Sequence, residues 1–243
     1  MQLFYPGQPS VLQAEMLVKW KRERGLYNFE SLPLKALICV DYSICKHLDS
    51  PFAKKIKGLK GRNFVAKNVL FCTGFDNGGP GIITLMEELR ALGIKQFFFI
   101  GHAGRLTKST KEGDIFAIDK AISGSGVTEY YSESEENTPY DTCFFKETNM
   151  VMNCEAVTCI SVDSPFRETR PLLDSAVADG ACLIEMECSS IYAFGTFYQL
   201  PTVCFLMATD SLIEKWQPPV NYAHIQNELI KFVSKLVISI NRT

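Results

Sequence analysis

The sequence predicts an α/β fold: one three-layer α/β/α domain over residues 1–243, built on a central mixed sheet. Three observations carry that prediction. Short apolar runs alternate along the chain with helical segments, the pattern of a sheet covered by helices. Residues 97–100, Phe-Phe-Phe-Ile, are apolar without a break, as in a strand buried on both faces. Ile225, Leu229, Phe232, Val233, Leu236, Val237 and Ile240 recur at helical spacing and form a stripe that packs on a sheet.

Each element has a local cause. Residues 1–24 are polar and mixed, with Ser10 the expected cap of a helix reaching Arg24. Strands are expected at 35–40 and 64–72, the second leading into a glycine turn at 74–81. A helix over 81–92 follows, stopped by Gly93. Further strands are read at 97–100, 115–118 and 157–162. Residues 130–142 are polar, acidic and interrupted by Pro139, which reads as an exposed loop. Residues 181–186 form a short apolar strand running into Glu185 and Glu187. Residues 188–198 are helical, Pro201 breaks the helix, and 202–208 form a strand ending at Asp210. No internal repeat or linker divides the chain.

Composition narrows the function classes. With 243 residues, 47% of them hydrophobic, the chain can bury one substantial core. A net charge of −2 with no long basic run gives nucleic-acid binding no electrostatic support. Residues 54–67 hold six Lys or Arg and no acid, which reads as a solvated loop ahead of a phosphate patch. Of nine cysteines, Cys39, Cys72, Cys159, Cys182 and Cys204 fall in apolar strand-like runs and act as small hydrophobes. The odd count, the lack of a CxxC pair and the lack of a signal peptide imply a reducing cytoplasmic setting, no disulfides and no metal site. Residues 188–209 carry no charge, but Gly195, Gln199 and Pro201 argue against a membrane span.

The chemistry concentrates at 181–210, where carboxylates stand at the ends of buried strands, the position of ligand sites in open α/β sheets. The Glu-Met-Glu of 185–187, followed by a helix, a strand and Asp210, resembles the nucleoside phosphorylase/nucleosidase family. The resemblance continues upstream in the same order: TGFDNGGPGIITLMEEL (73–89) is similar to that family's glycine turn and helix, with Gly81 where those enzymes have Ser. IGHAG (100–104) resembles its strand-to-turn phosphate segment, KEGDIFAIDKAI (111–122) its Gly-Asp-strand unit, and SVDSPFRE (161–168) its base-side loop.

The resemblance implies a phosphorylase/hydrolase-like domain that cleaves the N-glycosidic bond of a nucleoside. Positive charge then grows on the sugar and negative charge on the leaving base. Glu187 matches the glutamate that accepts from ribose hydroxyls, and Met186 the methionine packed on the sugar. Asp210 matches the aspartate that protonates a purine, a role needing a raised pKa. Glu185 is expected to support the turn. At the base, Phe166 is the expected stacking surface, with Glu168 and Arg170 as polar contacts on a loop one residue shorter than in uridine-specific relatives.

The phosphate end departs from the family. CVDYSICKHL (39–48) lacks the glycine and arginine of its phosphorolytic members and offers only Asp41 toward the glutamate of its hydrolytic ones. Phe99 stands where a second arginine is usual, and His102 replaces a Ser or Thr. Gly74, His102 and Arg105 are the remaining candidates for a weak phosphate site. The implied co-substrates are a nucleoside, with a purine base favoured by Asp210, and inorganic phosphate, with no further cofactor. Hydrolysis by water, and nucleoside binding without efficient catalysis, stay open. The resemblance also implies a homo-oligomer, dimer or hexamer, in which Tyr5, His47 or Arg62 are candidate donors to a neighbour's site.

Overall fold

A computed structural model of the chain describes residue 5, residues 7–41 and residues 53–241. Ten strands form one sheet among these residues. They are β1 (Lys35–Cys39), β2 (Lys54–Ile56), β3 (Arg62–Ala66), β4 (Val69–Thr73), β5 (Gln96–Arg105), β6 (Ile115–Gly124), β7 (Glu136–Asn137), β8 (Ala156–Val162), β9 (Ala181–Glu185) and β10 (Thr202–Ser211). Six α-helices accompany them: α1 (Ala14–Glu23), α2 (Gly78–Ala91), α3 (Thr142–Met152), α4 (Arg170–Ala178), α5 (Cys188–Tyr198) and α6 (Tyr222–Ile240).

The sheet is mixed, and β5 organises it. One edge of β5 pairs with parallel β10 along residues 97–105. The other edge pairs with parallel β1 through residue 100, then with antiparallel β9 at Gly104 and Arg105. Because β10 also pairs with β6, β6 with β8 and β8 with β9, these five strands close on themselves. The order then runs outward from β5 through β1, β4, β3 and β2.

Strand alternation builds the three layers. Ala36 and Ile38 of β1 pack with Ile82, Met86 and Leu89 of α2 and Ile191 and Phe194 of α5. Leu37 and Cys39 face the opposite side, with Phe145 of α3 and Ile225, Leu229, Val233 and Leu236 of α6. The expected stripe on α6 is buried throughout except at Phe232, which is partly exposed.

Several boundaries differ from the sequence expectation. The segment 64–72 is two strands, β3 and β4, joined by Lys67 (φ 48°) and Asn68 (φ 57°), a two-residue turn with both residues left-handed. The cationic segment 54–67 is not a loop: it supplies β2 and β3. The segment 130–142 is not wholly an exposed loop, since β7 pairs with β6 and buries Asn137. Ser10 does not cap α1; its hydroxyl donates to the Leu12 carbonyl, and Gln13 precedes the helix. The helix expected over 81–92 starts three residues earlier, at Gly78.

Candidate functional site

The Glu-Met-Glu corner is assembled by hydrogen bonds that converge on Glu185. β9 delivers this carboxylate to a buried position at the start of α5. One oxygen accepts from the Ser161 hydroxyl of β8. The other accepts from the backbone N–H groups of Glu187 (2.6 Å) and Cys188 (2.9 Å). Ser161 Oγ in turn accepts from the Ser189 N–H at 2.8 Å. Glu185 therefore satisfies the open N–H groups at the N-terminus of α5, a favourable place for negative charge.

Two residues on, Glu187 ties this corner to the glycine turn. Its Oε1 accepts from the Gly78 N–H at 2.7 Å, where α2 begins. Gly78 has φ +80°, so this turn favours glycine, and a Cβ there would touch the Met186 methyl. A Cβ at Gly81 would overlap the Asp76 carbonyl, so the serine common in similar enzymes does not fit this backbone. Burial, reinforced by the charge of Glu185, pushes the Glu187 carboxyl up to about 8.

These residues open into a cavity of about 800 Å³ lined by Met186, Glu187, His102, Phe166, Glu168 and Asp210, with Asn77, Thr209, Leu212 and Trp216 also in its wall. Two other clefts, of about 330 and 600 Å³, contain none of the residues expected from the sequence. Asp210 accepts from the Thr209 hydroxyl at 3.0 Å and from the Trp216 indole N–H at 2.8 Å. Glu168 lies in the same wall, and burial together with the Asp210 charge pushes its carboxyl up to about 7. Phe166 is 98% exposed, and Trp216, in the same wall, is 63% exposed.

The remaining expected residues lie elsewhere. Arg170 is outside the cavity wall: its guanidinium donates to the carbonyls of Leu212 (3.0 Å), Ile213 (3.0 Å) and Glu214 (2.9 Å), and so anchors the segment that carries Trp216. Arg105 and Gly74 are likewise absent from the wall; Arg105 donates to the Thr110 carbonyl at 3.3 Å, and Gly74 follows β4 with φ +66°. Of the expected phosphate residues only His102 reaches the cavity, with its Nε2 3.6 Å from Asp41. Burial holds the His102 pKa below its ordinary value, although Asp41 and Asp210 oppose the shift. Burial thereby favours the neutral imidazole. Phe99 is buried in the core between β1 and β10, not at a ligand surface. Most of the 39–48 segment, including His47, lies outside the described residues.

Trp216 and Thr209 were not anticipated. Trp216 is one of only two tryptophans and follows Asp210 within a polar stretch, the one sequence signal that pointed to it. Beneath the corner, Cys159, Glu185 and Cys188 bring three metal-type ligand atoms within 4.8 Å of one another. Glu185 is already hydrogen-bonded there, and burial pushes the Cys159 thiol up to about 12, so this cluster fits packing better than metal coordination.

Comparison with known proteins gives a consistent picture. The family model described as the phosphorylase superfamily matches residues 46–238. The chain belongs to the phosphorylase superfamily. A relative, the uncharacterised protein R802 of Acanthamoeba polyphaga mimivirus, is 24% identical over 171 residues, covering 68% of each chain. Among solved structures, the purine nucleoside phosphorylase of Toxoplasma gondii in complex with immucillin-H shares the fold, with a TM-score of 0.74 at 16% identity. That match covers 100% of this chain and 99% of the other. No helix among the described residues is long and apolar enough to cross a membrane.

Proposed function

We propose that the cavity binds a nucleoside and cleaves its N-glycosidic bond, with a purine favoured as the leaving base. The observation that carries this reading is that one cavity collects Met186 and Glu187 together with Phe166, Glu168 and Asp210 in its wall. Glu187 accepts from ribose hydroxyls, and these donors favour its ionised form, whose charge opposes the positive charge that grows on the sugar. Phe166 supplies an apolar face for the base, and the two acids face its polar edge. Superfamily membership supports phosphorolysis, with inorganic phosphate as the second substrate and no further cofactor in this reading.

One feature supports water as the nucleophile instead. No Lys or Arg is among the described residues lining the cavity, whereas Glu168, Glu185, Glu187 and Asp210 are, and burial disfavours the charged form of His102. Each charge-assisted contact is worth about 1.5–3 kcal/mol, so the loss of two arginines weakens phosphate binding about a thousandfold. A homo-oligomer whose neighbour supplies the missing cation, with the enzyme acting in the cytoplasm, is the arrangement in which phosphorolysis is efficient.

The deciding experiment incubates the protein with a panel of purine and pyrimidine nucleosides, with and without phosphate, and measures free base. Phosphate-dependent release supports phosphorolysis, and phosphate-independent release supports hydrolysis. Nucleoside binding without release under any condition leaves a binding protein, and the absence of both refutes the site.

A further inference from the structure

The base end of the cavity holds two carboxyl groups in unequal surroundings. Asp210 Oδ2 accepts from the Trp216 indole N–H, while its Oδ1 lies 3.0 Å from the Thr209 hydroxyl, whose one proton is shared with the Ala103 carbonyl at 3.1 Å. An indole N–H can only donate, so it occupies a lone pair of Asp210 Oδ2. The Trp216 ring is kept in place by its segment, whose carbonyls are bound by Arg170. Glu168, in the same wall, accepts no hydrogen bond from any described residue and is partly buried. Nothing there favours its charge, and the charge of Asp210 opposes it. When two acids share a site, one ionises and the other keeps its proton, and the donors decide which.

We propose that Glu168, and not the Trp216-bound Asp210 of the same wall, delivers the proton to the leaving base. The proposal rests on the reading of the cavity as a nucleoside site and departs from the expected assignment of Asp210 as the donor. As the bond between the sugar anomeric carbon and the base nitrogen breaks, its electron pair goes to the base, and the imidazole-ring nitrogen takes the Glu168 proton. An oxygen of hydrogen phosphate or water bonds to the anomeric carbon and releases one proton. That proton returns through solvent to Glu168, and charge and atoms balance.

The other titratable groups around this pair are His102 of β5, backed by Asp41, and Glu185 and Glu187 at the β9–α5 corner. Arg167 and Arg170 are near Glu168 in sequence, and the latter is committed to three carbonyls. The position near 7 of the Glu168 carboxyl agrees with a proton donor matched to neutral pH.

Two measurements test the proposal. The side-chain carboxyl of Glu168 is titrated by carbon-13 NMR in glutamate-labelled protein, with Glu168→Gln identifying the resonance. A midpoint near 7 that falls by roughly one pH unit in Asp210→Asn is expected, because that change removes a like charge. A midpoint in the ordinary carboxylate range overturns the proposal. In parallel, base release from a purine nucleoside is followed from pH 5.5 to 9 for wild type, Glu168→Gln, Asp210→Asn and Trp216→Phe. Wild-type rates should fall as pH rises through the NMR midpoint, and Glu168→Gln should lose about a hundredfold in kcat together with that limb. Trp216→Phe, which removes one donor to Asp210, should move the limb without abolishing the rate. Release that survives Glu168→Gln but not Asp210→Asn returns the acid role to Asp210. Wild type that releases no base overturns the nucleoside-cleavage reading itself, an outcome separate from an unaltered Glu168→Gln.

Discussion

Glu187 is the residue at which structure and proposed chemistry are most easily separated. Its Oε1 accepts from the Gly78 N–H at 2.7 Å, so removing the carboxylate leaves a buried donor at the start of α2 unpaired. An orphaned donor of this kind costs about 1–3 kcal/mol of stability. The proposed ligand contacts are a second and independent loss. Two ribose hydroxyls donating to a carboxylate contribute about 1.5–3 kcal/mol each, against about 0.5–1.5 to a neutral amide. Glu187→Gln keeps an acceptor for Gly78 and should unfold within about 1 kcal/mol of wild type. It should nevertheless bind nucleoside about 30- to 150-fold more weakly, the equivalent of about 2–3 kcal/mol. Glu187→Ala should lose both. Urea melts give the stability and titration calorimetry with a purine nucleoside the affinity. A folded Glu187→Ala protein with wild-type affinity would refute the placement of the sugar.

Further outcomes follow from the same geometry. Glu185→Ala strands the Ser161 hydroxyl and the N–H groups of Glu187 and Cys188; it should destabilise by about 3–5 kcal/mol, read as a shift in the urea midpoint. Because the Glu187 carboxyl is raised to about 8, the folded state holds a proton that the unfolded chain has released. Stability should therefore fall as pH rises from the ordinary carboxylate range through about 8, and Glu187→Gln should flatten that slope in melts at pH 5, 6.5 and 8. Arg170→Ala frees the segment holding Trp216 and should weaken nucleoside binding about tenfold, with a smaller change in melting temperature. Since the His102 pKa is lowered by burial, phosphate binding by calorimetry should strengthen only toward pH 5.5; tight binding unchanged from pH 5.5 to 8 would contradict a role for this imidazole.

Elements whose pattern comes from burial were legible in the sequence. The run at 97–100, the α6 stripe and the uncharged stretch 188–209 each report a core environment, and all three lie largely in the interior, with Thr196, Phe197 and Gln199 exposed at the end of α5. The 62–73 hairpin was not, because its turn is Lys67-Asn68, without the glycine that usually marks such a turn, and because apolar residues flank it closely. The carboxylates of the site stood out, since acids at buried strand ends need a reason. Arg170 shows the limit of reading a role from residue type: a guanidinium that suits a base edge suits three backbone carbonyls equally well. Trp216 and Thr209 were invisible in role because their effect passes through Asp210, a relation in space and not in spacing.

The closure of five strands around β5 has a consequence for how the molecule breathes. The amides of β5 are bonded to neighbours on both of its edges, so exposing the whole strand needs both to separate, and those neighbours are themselves joined through β6 and β8. Hydrogen exchange in this strand should need the largest opening the domain undergoes and so report its global unfolding. The segments bearing Phe166 and Trp216 are outside the ring, and their exposed rings let them exchange by small local excursions. A ligand in the cavity should then slow exchange in these two segments many-fold while leaving the β5 pattern intact. The rigid ring and its mobile rim would thus be distinguishable on one molecule by the clock of their amides.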